Sequence, residues 1–213
     1  MHYLTKALTF PPVTEADADG ILAIGGDLST ERLLLAYRSG IFPWFNEGEP
    51  IIWWSPNPRM VLFPEEVVVS KSMRAILKQK KFSVTFNKDF HGVIVNCQKT
   101  KRDGQHGTWI TDSMCDAYCK LHELGFAKSV EVWQDNELVG GLYGVDLGNV
   151  FCGESMFSKV DNASKVAFIS LANQLQSEQY KLIDCQVYNA HLERLGCREI
   201  ERDVFIKIIA KSD

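Results

Sequence analysis

Hydrophobic and polar positions change period along the chain, and the first sixty residues already predict several short elements. After a cap at Ser29 or Thr30, the stretch "ERLLLAYRSG" predicts a short helix that Gly40 closes. The stretches "IIWW" and "MVLF" predict two short strands, separated by "SPNPR", where paired prolines prevent regular structure. This pattern predicts a small N-terminal α/β domain over residues 1–60.

From residue 61 onwards the pattern predicts a second, larger domain over residues 61–213. Helical periodicity marks "KSMRAILKQKK", "FHGVIVNCQ", "DSMCDAYCKLHEL", "NASKVAFISLANQLQS" and a short "AHLERLG". Strands are predicted for "FSVTF", for the antiparallel meander "SVEVWQ", "ELVGGLYGV" and "VFCGESMF", for "LIDCQV", and for a final strand "DVFIKII". The fold class is therefore α+β, with a mostly antiparallel sheet flanked by helices.

Composition and hydropathy indicate the general class of protein. The chain has 213 residues, of which 46% are hydrophobic and 23% charged, as in an ordinary globular protein. No apolar run reaches the ~18 residues of a membrane span, and the first twenty residues lack the apolar core of a signal peptide. We expect a soluble cytoplasmic protein that does not contact a membrane. Its six cysteines are then expected to be reduced.

Two charged or ligand-bearing clusters need an interpretation. Cys115, Cys119 and His122 share one face of a predicted helix, but no second pair at zinc-finger spacing accompanies them, so core packing is favoured over a metal site. Residues 71–102 carry nine basic side chains and a single acid, Asp89, in a chain of net charge −4. That segment is either a solvated lysine-rich face or a platform for a polyanion, and composition alone leaves both open.

The absence of several catalytic motifs and the presence of polar residues in apolar strands both bear on the reaction that the protein could catalyse. The sequence has no G-x-x-x-x-G-K, G-x-G-x-x-G, H-E-x-x-H or G-x-S-x-G motif, which counts against ATP-dependent, dinucleotide, zincin and α/β-hydrolase chemistry. Strand alternation places Asp184 and Gln186 on one face of "LIDCQV", and a buried Asp is costly unless paired or functional. Glu154 adds a second carboxylate at the end of the meander.

Residues 40–63 concentrate three of the five tryptophans and four of the seven prolines. Such rigidity exceeds what a core needs, so this Trp/Pro segment is predicted to form the wall of a pocket.

Ten strings in order along the chain carry a resemblance to a known family. They are "GGDLS", "RLLLAYRSGIFPWF", "IIWWSPNPR", "GTWIT", "LHELG", "SVEVW", "ELVGGLYGV", "FCGESMFS", "NASK" and "LIDCQV". Together they resemble the leucyl/phenylalanyl-tRNA–protein transferases. The resemblance implies an enzyme that moves Leu, Phe or Met from aminoacyl-tRNA to a protein with an N-terminal Arg or Lys, marking that protein for degradation. It also implies a second domain similar to the acetyltransferase (GNAT) superfamily, and neither metal nor nucleotide cofactor.

The resemblance further implies roles for individual residues. Asp184 and Gln186 are the catalytic pair, with Asn189 nearby and Glu154 beside the acceptor amine. The expected substrate pocket consists of Trp44, Trp109, Tyr118, Leu142, Phe151 and Ile183. The expected tRNA-binding residues are Lys71, Arg74, Lys78, Lys80 and Lys81. Our hypothesis for the chemistry is that Asp184 orients Gln186, whose amide contacts the attacking amine, while proton transfer through the ribose hydroxyl stays open.

Two other classes of function compete with this interpretation. A CoA-dependent acyltransferase would share the GNAT-like layout, but the sequence has no Q/R-x-x-G-x-G/A pyrophosphate loop. A non-catalytic RNA-binding module would account for the basic segment and leave Asp184, Gln186 and Glu154 unexplained.

Overall fold

The computed structural model describes residues 2–100 and 110–210, and within them the α+β class is confirmed. Its helices are α1 (Thr30–Arg38), α2 (Lys71–Lys78), α3 (Phe90–Lys99), α4 (Asp112–Glu123), α5 (Ala163–Ser177), α6 (Ala190–Glu193) and α7 (Arg202–Ile209). Its strands are β1 (His2–Leu4), β2 (Ile21–Gly25), β3 (Phe42–Pro43), β4 (Ile52–Trp54), β5 (Arg59–Leu62), β6 (Ser83–Phe86), β7 (Ala127–Gln134), β8 (Glu137–Asp146), β9 (Val150–Ser158), β10 (Leu182–Gln186) and β11 (Arg198–Ile200).

The N-terminal residues form a four-stranded sheet in the order β1-β2-β4-β3. Only β1 and β2 pair in parallel. Helix α1 starts as predicted, because the Ser29 side chain accepts a hydrogen bond from the backbone N–H of Arg32. It is followed by Gly40 at φ 74°, where a Cβ atom would lie 2.4 Å from Ile206 Cδ1, so the turn requires glycine and lets α7 pack close by.

The larger sheet has seven strands in the order β11-β5-β10-β9-β8-β7-β6. Every neighbouring pair is antiparallel except β9 and β10, which run parallel because the long helix α5 crosses between them. One face of this sheet packs against α3, α4 and the N-terminal unit in a shared hydrophobic core. The opposite face packs against α5 in a second core. The predicted sheet with helices on both faces is thus confirmed.

The predicted final strand "DVFIKII" is wrong, because these residues lie in helix α7. A short apolar run fits both the two-residue period of a strand and the 3.6-residue period of a helix. Its β-branched residues favour the strand by local propensity alone. Packing decides for the helix: Phe205 and Ile209, four residues apart, are both buried on one side of α7. The last strand is instead β11, a three-residue segment that the pattern did not predict.

The chain passes from the small sheet to the large one between β4 and β5. Strand β4 belongs to the small sheet, whereas β5 pairs with β10 and β11 in the large one. Because the two units share one hydrophobic core, the division into domains 1–60 and 61–213 stays a proposal.

Candidate active site

Two irregularities open the large sheet between its parallel strands. Strands β9 and β10 pair over three positions only, ending at Asp184 opposite Cys152. Just beyond that point each of the two strands has a β-bulge on its other side. Cys185 of β10 has no partner on β5, and Glu154 of β9 has no partner on β8. The strands therefore separate, and the residues that follow the last pair face the gap.

A cavity of about 260 Å³ occupies this gap. Its lining is mostly apolar and comes from Phe42, Pro43, Trp44, Leu142, Phe151, Met156, Phe168, Leu171, Ile183, Val187 and Leu192. The polar side chains on its lining are Tyr143, Glu154, Ser155, Cys185, Gln186 and Asn189. A concave apolar site with a few convergent polar groups is the usual form of a small-molecule or acyl-group site.

One wall of the cavity comes from the Trp/Pro segment. Residues 42–44 line the cavity, and the backbone carbonyl of Trp44 accepts a 2.7 Å hydrogen bond from the indole nitrogen of Trp54. The two indole rings lie 5.5 Å apart. These contacts fix Trp44 against Trp54 beside the cavity.

The structure brings most of the predicted site residues together. Seven of them line the cavity: Trp44, Leu142, Phe151, Glu154, Ile183, Gln186 and Asn189. Tyr118 is buried behind the cavity and donates a hydrogen bond to Glu154. Asp184 is buried and does not line the cavity. Trp109 lies outside the described residues.

Asp184 forms a buried ion pair with Arg59. The guanidinium donates from Nε to Oδ1 at 2.8 Å and from Nη2 to Oδ2 at 2.7 Å. It also lies between the rings of Phe42 and Phe205, whose centroids are 4.8 and 4.7 Å from its Cζ. A bidentate pair of this kind holds the carboxylate in one orientation.

The bulge at Cys185 changes the relation between Asp184 and Gln186. Alternation would put both side chains on one face, but Gln186 lies past the bulge with φ 66° and turns towards the cavity. Asp184 Oδ1 instead accepts the backbone N–H of Gln186 at 3.0 Å. The side-chain amide of Gln186 donates to Glu154 Oε1 at 2.9 Å. Asp184 therefore orients Gln186 through the backbone.

Glu154 is surrounded by neutral donors. Its Oε1 also accepts the hydroxyl of Tyr37 at 2.7 Å, and its Oε2 accepts the hydroxyl of Tyr118 at 3.0 Å. Burial raises the pKa of this carboxyl to about 7, although the three hydrogen bonds act to lower it, and the negative charge of Asp184 raises it further. Close to neutral pH, Glu154 can therefore hold or release a proton.

Sequence reasoning missed Arg59 and Tyr37. Arg59 is a charged residue that opens an apolar strand, and this position was a signal that it would need a buried partner. Tyr37 lies four residues after Leu33 on the buried side of α1, where its hydroxyl could be expected to find a partner.

The five predicted tRNA-binding side chains lie on or just after α2. Lys71, Arg74 and Lys78 are on the helix and Lys80 and Lys81 follow it, and all five are exposed. None of them forms an ion pair within the described residues. The side chains are thus available to a polyanion, and the helix is anchored by the buried Met73.

The cysteine and histidine cluster on α4 is occupied by structural contacts. His122 stacks on Phe90 with ring centroids 4.4 Å apart. Burial raises the pKa of Cys115 to about 11, so this thiol stays protonated at neutral pH. Residues 2–100 and 110–210 contain no group of three potential ligands that could hold a metal ion. In the same residues, no helix combines the length and hydrophobicity needed to cross a bilayer.

Comparison with known proteins gives two matching family models. Residues 26–57 match the N-terminal domain of leucyl/phenylalanyl-tRNA protein transferase, and residues 61–210 match the leucyl/phenylalanyl-tRNA protein transferase model. Proteins called leucyl/phenylalanyl-tRNA–protein transferase are similar along their whole length. One from Flavobacterium johnsoniae is 70% identical over 98% of this chain and 99% of its own. One from Flavobacterium psychrophilum is 66% identical over 99% of this chain and 100% of its own.

The similarity of this chain to solved structures is weaker than its similarity to these relatives. L-PGS from Bacillus licheniformis has a TM-score of 0.41 at 14% identity, with 79% of this chain and 54% of that one covered. A GCN5-related N-acetyltransferase from Kribbella flavida has a TM-score of 0.39 at 10% identity, with 78% and 59% covered. Scores of this size carry no argument about function.

An apolar cavity with a carboxylate and an amide at one end suits the transfer of an apolar acyl group, and the matching models and relatives define the class: the protein is an aminoacyltransferase. Its substrates are an aminoacyl-tRNA and a protein. The chain belongs to the leucyl/phenylalanyl-tRNA protein transferase family. The predicted resemblance is thereby confirmed, and the two competing classes are set aside.

Proposed function

We propose that the protein transfers Leu, Phe or Met from aminoacyl-tRNA to a protein whose N-terminal residue is Arg or Lys, and that the product is routed to degradation in the cytoplasm. The observation that carries this proposal is the apolar cavity that ends at Glu154 and Gln186. The apolar end suits the side chain of the donor amino acid, and the polar end suits the acceptor amine.

The donor site is proposed on the apolar lining. Leu142, Phe151 and Ile183 surround a space that excludes water from an unbranched, γ-branched or aromatic side chain. The ring of Trp44, held by its contacts with Trp54, is a flat surface on which the terminal adenine can stack. Trp109 and Tyr118 are retained as pocket candidates.

The reacting groups are proposed at the polar end. An aminoacyl ester is already activated, and an α-amine has an ordinary pKa of about 7.7–8.0, so a usable neutral fraction exists near neutral pH. Positioning the amine against the ester carbonyl then supplies much of the rate. Gln186 and Asn189 line this end of the cavity and are proposed to orient the amine, with Asp184 acting as a positioning residue through the Gln186 backbone.

The tRNA is proposed to bind along α2. Exposed Lys and Arg side chains, which form no ion pair with the part of the chain that the structure describes, lie on one helix and the turn that follows it and present positive charge to phosphates. The same surface fits the alternative of a solvated lysine-rich face, which the salt dependence of binding separates from tRNA binding.

The decisive experiment is transfer of labelled leucine from leucyl-tRNA to a peptide that starts with Arg. Matched peptides with Lys, Ala or acetyl-Arg at the first position serve as controls. We expect label on the Arg and Lys peptides and little on the Ala or acetylated ones. Absence of transfer to the Arg peptide would contradict the proposed function, and equal transfer to the Ala peptide would contradict the proposed acceptor.

A further inference from the structure

Two buried tyrosine hydroxyls and the partly buried carboxylate of Glu154 form a closed ring of oxygen contacts at the cavity wall. The hydroxyls of Tyr37 and Tyr118 contact each other, and each also contacts one oxygen of the Glu154 carboxylate. Both tyrosines are at most 1% exposed, and Glu154 lines the cavity. The ring therefore joins the interior of the protein to the proposed position of the acceptor amine.

With Glu154 ionised, the ring has one hydrogen fewer than it has oxygen–oxygen contacts. It has three oxygen–oxygen contacts, Glu154–Tyr37, Tyr37–Tyr118 and Tyr118–Glu154. With the carboxylate ionised, the two hydroxyls supply only two hydrogens, so one contact is between two acceptors. One added proton gives every contact its hydrogen. The ring is thus built to take up one proton and to share it.

The groups that face Glu154 leave its proton affinity high. From α1, α4 and β10 it faces Tyr37, Tyr118 and Gln186, all neutral donors. Burial raises the pKa of both tyrosines well above the usual range, so neither hydroxyl is the ionised group.

Among residues 2–100 and 110–210, the more distant neighbours of Glu154 add no positive charge. Tyr143 on β8 and Cys152 on β9 also have raised pKa values and stay neutral. Asp184 is the nearest other charge, and Arg59 pairs with it. Among the described residues no cation contacts Glu154.

We propose that the ring of Glu154, Tyr37 and Tyr118 is the proton acceptor of the transfer reaction, an inference that rests on the proposed function. The acceptor nitrogen attacks the ester carbonyl, so a C–N bond forms and the C–O bond to the ribose breaks. The nitrogen loses one proton to the Glu154 carboxylate, and the ring returns that proton to the departing ribose oxygen. The ring ends in its starting state, and no further reactant is needed.

Other groups at the cavity are poorer acceptors. An amide such as Gln186 is a weak base, and Asp184 is bound by Arg59 on the far side of the strand. The thiol of Cys185 has a pKa well above its usual value, chiefly through its contact with Cys197 and burial, so it holds its own proton.

The test is the pH dependence of kcat at saturating peptide for the wild type, Tyr37→Phe and Tyr118→Phe. Each variant removes a hydroxyl that donates to Glu154, which raises the pKa of the carboxyl. We expect the rise of kcat with pH to move upwards by about half to one pH unit in both variants. The peptide is the same in every assay, so a shift between variants belongs to the enzyme.

Tyr180→Phe is the matched control, because Tyr180 also donates to a carboxylate, Asp146, away from the cavity. We expect its profile to coincide with that of the wild type. A profile that stays unmoved in both Tyr37→Phe and Tyr118→Phe would overturn the proposal.

Glu154→Gln keeps a hydrogen-bonding side chain of the same size and removes the base. We expect kcat to fall by about 10²-fold or more for every acceptor peptide, with little change in the KM for aminoacyl-tRNA. A raised KM for Arg peptides with unchanged kcat would instead assign Glu154 to acceptor recognition and overturn the proposal.

A measurement independent of activity covers variants that fold poorly. In the wild type with ¹³C-labelled glutamate carboxyls, one signal should titrate between pH 6 and 8, and it should be missing in Glu154→Gln. Titration of every glutamate near its ordinary pKa would overturn the proposal. If the wild type transfers no amino acid at any pH, the proposed function fails, whereas transfer with an unmoved pH profile contradicts the ring alone.

Discussion

Asp184 and Glu154 lie on neighbouring strands, just where the strands separate, yet their surroundings differ in one respect. The carboxylate of Asp184 contacts a guanidinium at both oxygens. The carboxylate of Glu154 contacts two hydroxyls and an amide, and no cation within the described residues. The first has a full countercharge, and the second has only neutral donors.

This difference in partners leads us to expect different effects from mutations at the two carboxylates. A carboxylate with a bidentate Arg partner is fixed in one orientation, and here it also accepts the backbone N–H of Gln186. A buried carboxylate with neutral donors has a pKa that lies near the working pH, here about 7. We therefore expect mutations at Asp184 and Glu154 to affect different observables.

The largest expected effect is on stability, at Arg59. Arg59→Met leaves the buried charge of Asp184 without a partner, and we expect the free energy of unfolding to fall by about 3–5 kcal/mol. The double variant Arg59→Met with Asp184→Leu removes both charges and should recover much of this loss. Urea unfolding at pH 7 measures each value.

Arg198→Met is the matched control for that prediction, because Arg198 pairs with Glu66 at the surface. The exposed pair should contribute about 1 kcal/mol or less. An equal loss at Arg59 and Arg198 would remove the distinction that we draw for Asp184.

The next effect is on rate, at Gln186, the residue that contacts both carboxylates. Gln186→Ala should slow transfer by about 10²-fold with little change in the melting temperature, because the side chain positions the reacting groups. Single-turnover transfer and thermal unfolding are the measurements. Gln174→Ala, on the exposed side of α5, should match the wild type in both. A folded Gln186→Ala with near-normal turnover would remove this residue from the proposed site.

A smaller effect concerns the pH dependence of stability. The folded pKa of Glu154 lies above its ordinary value of 4.5, so the folded state binds more protons than the unfolded state between these values. Glu154 therefore reduces stability progressively as pH rises from about 4.5 to 7. Glu154→Gln removes this loss, and its stability relative to the wild type should rise by about 2 kcal/mol between pH 5 and pH 7.

Urea unfolding of both proteins at the two pH values checks this expectation. The relevant quantity is the difference between the two proteins in the free energy of unfolding, because every other titrating group contributes equally to both. A constant difference would contradict a raised pKa for Glu154.

The smallest effect concerns binding at the surface, far from either carboxylate. Lys78→Glu and Lys81→Glu should weaken aminoacyl-tRNA binding and flatten its salt dependence by about one unit of slope for each lost phosphate contact. Binding titrations over a range of salt concentrations give the slope. Lys207→Glu, on the exposed part of α7, is the control. Slopes equal to that of the control would favour the solvated lysine-rich face.

The sequence by itself determined the fold class, most elements and the family. Periodicity located β7 to β10 and helices α1 to α5, because their apolar positions repeat over enough residues to distinguish period 2 from period 3.6. It failed at α7, where β-branched residues favour a strand locally and packing of Phe205 and Ile209 selected the helix. The ordered motifs identified Glu154, Gln186 and Asp184, since each is a polar residue in an apolar strand.

Only the tertiary structure decided what these polar residues contact. Alternation put Asp184 and Gln186 on one face, and the bulge at Cys185 separated them, because a bulge depends on pairing with a strand more than a hundred residues away. The partners that contact each carboxylate, Arg59 for Asp184 and Tyr37 for Glu154, are also more than a hundred residues away along the chain. Proton affinity depends on burial and on contacts made across the fold. The local sequence therefore shows which residue can titrate, and the tertiary structure determines its pKa.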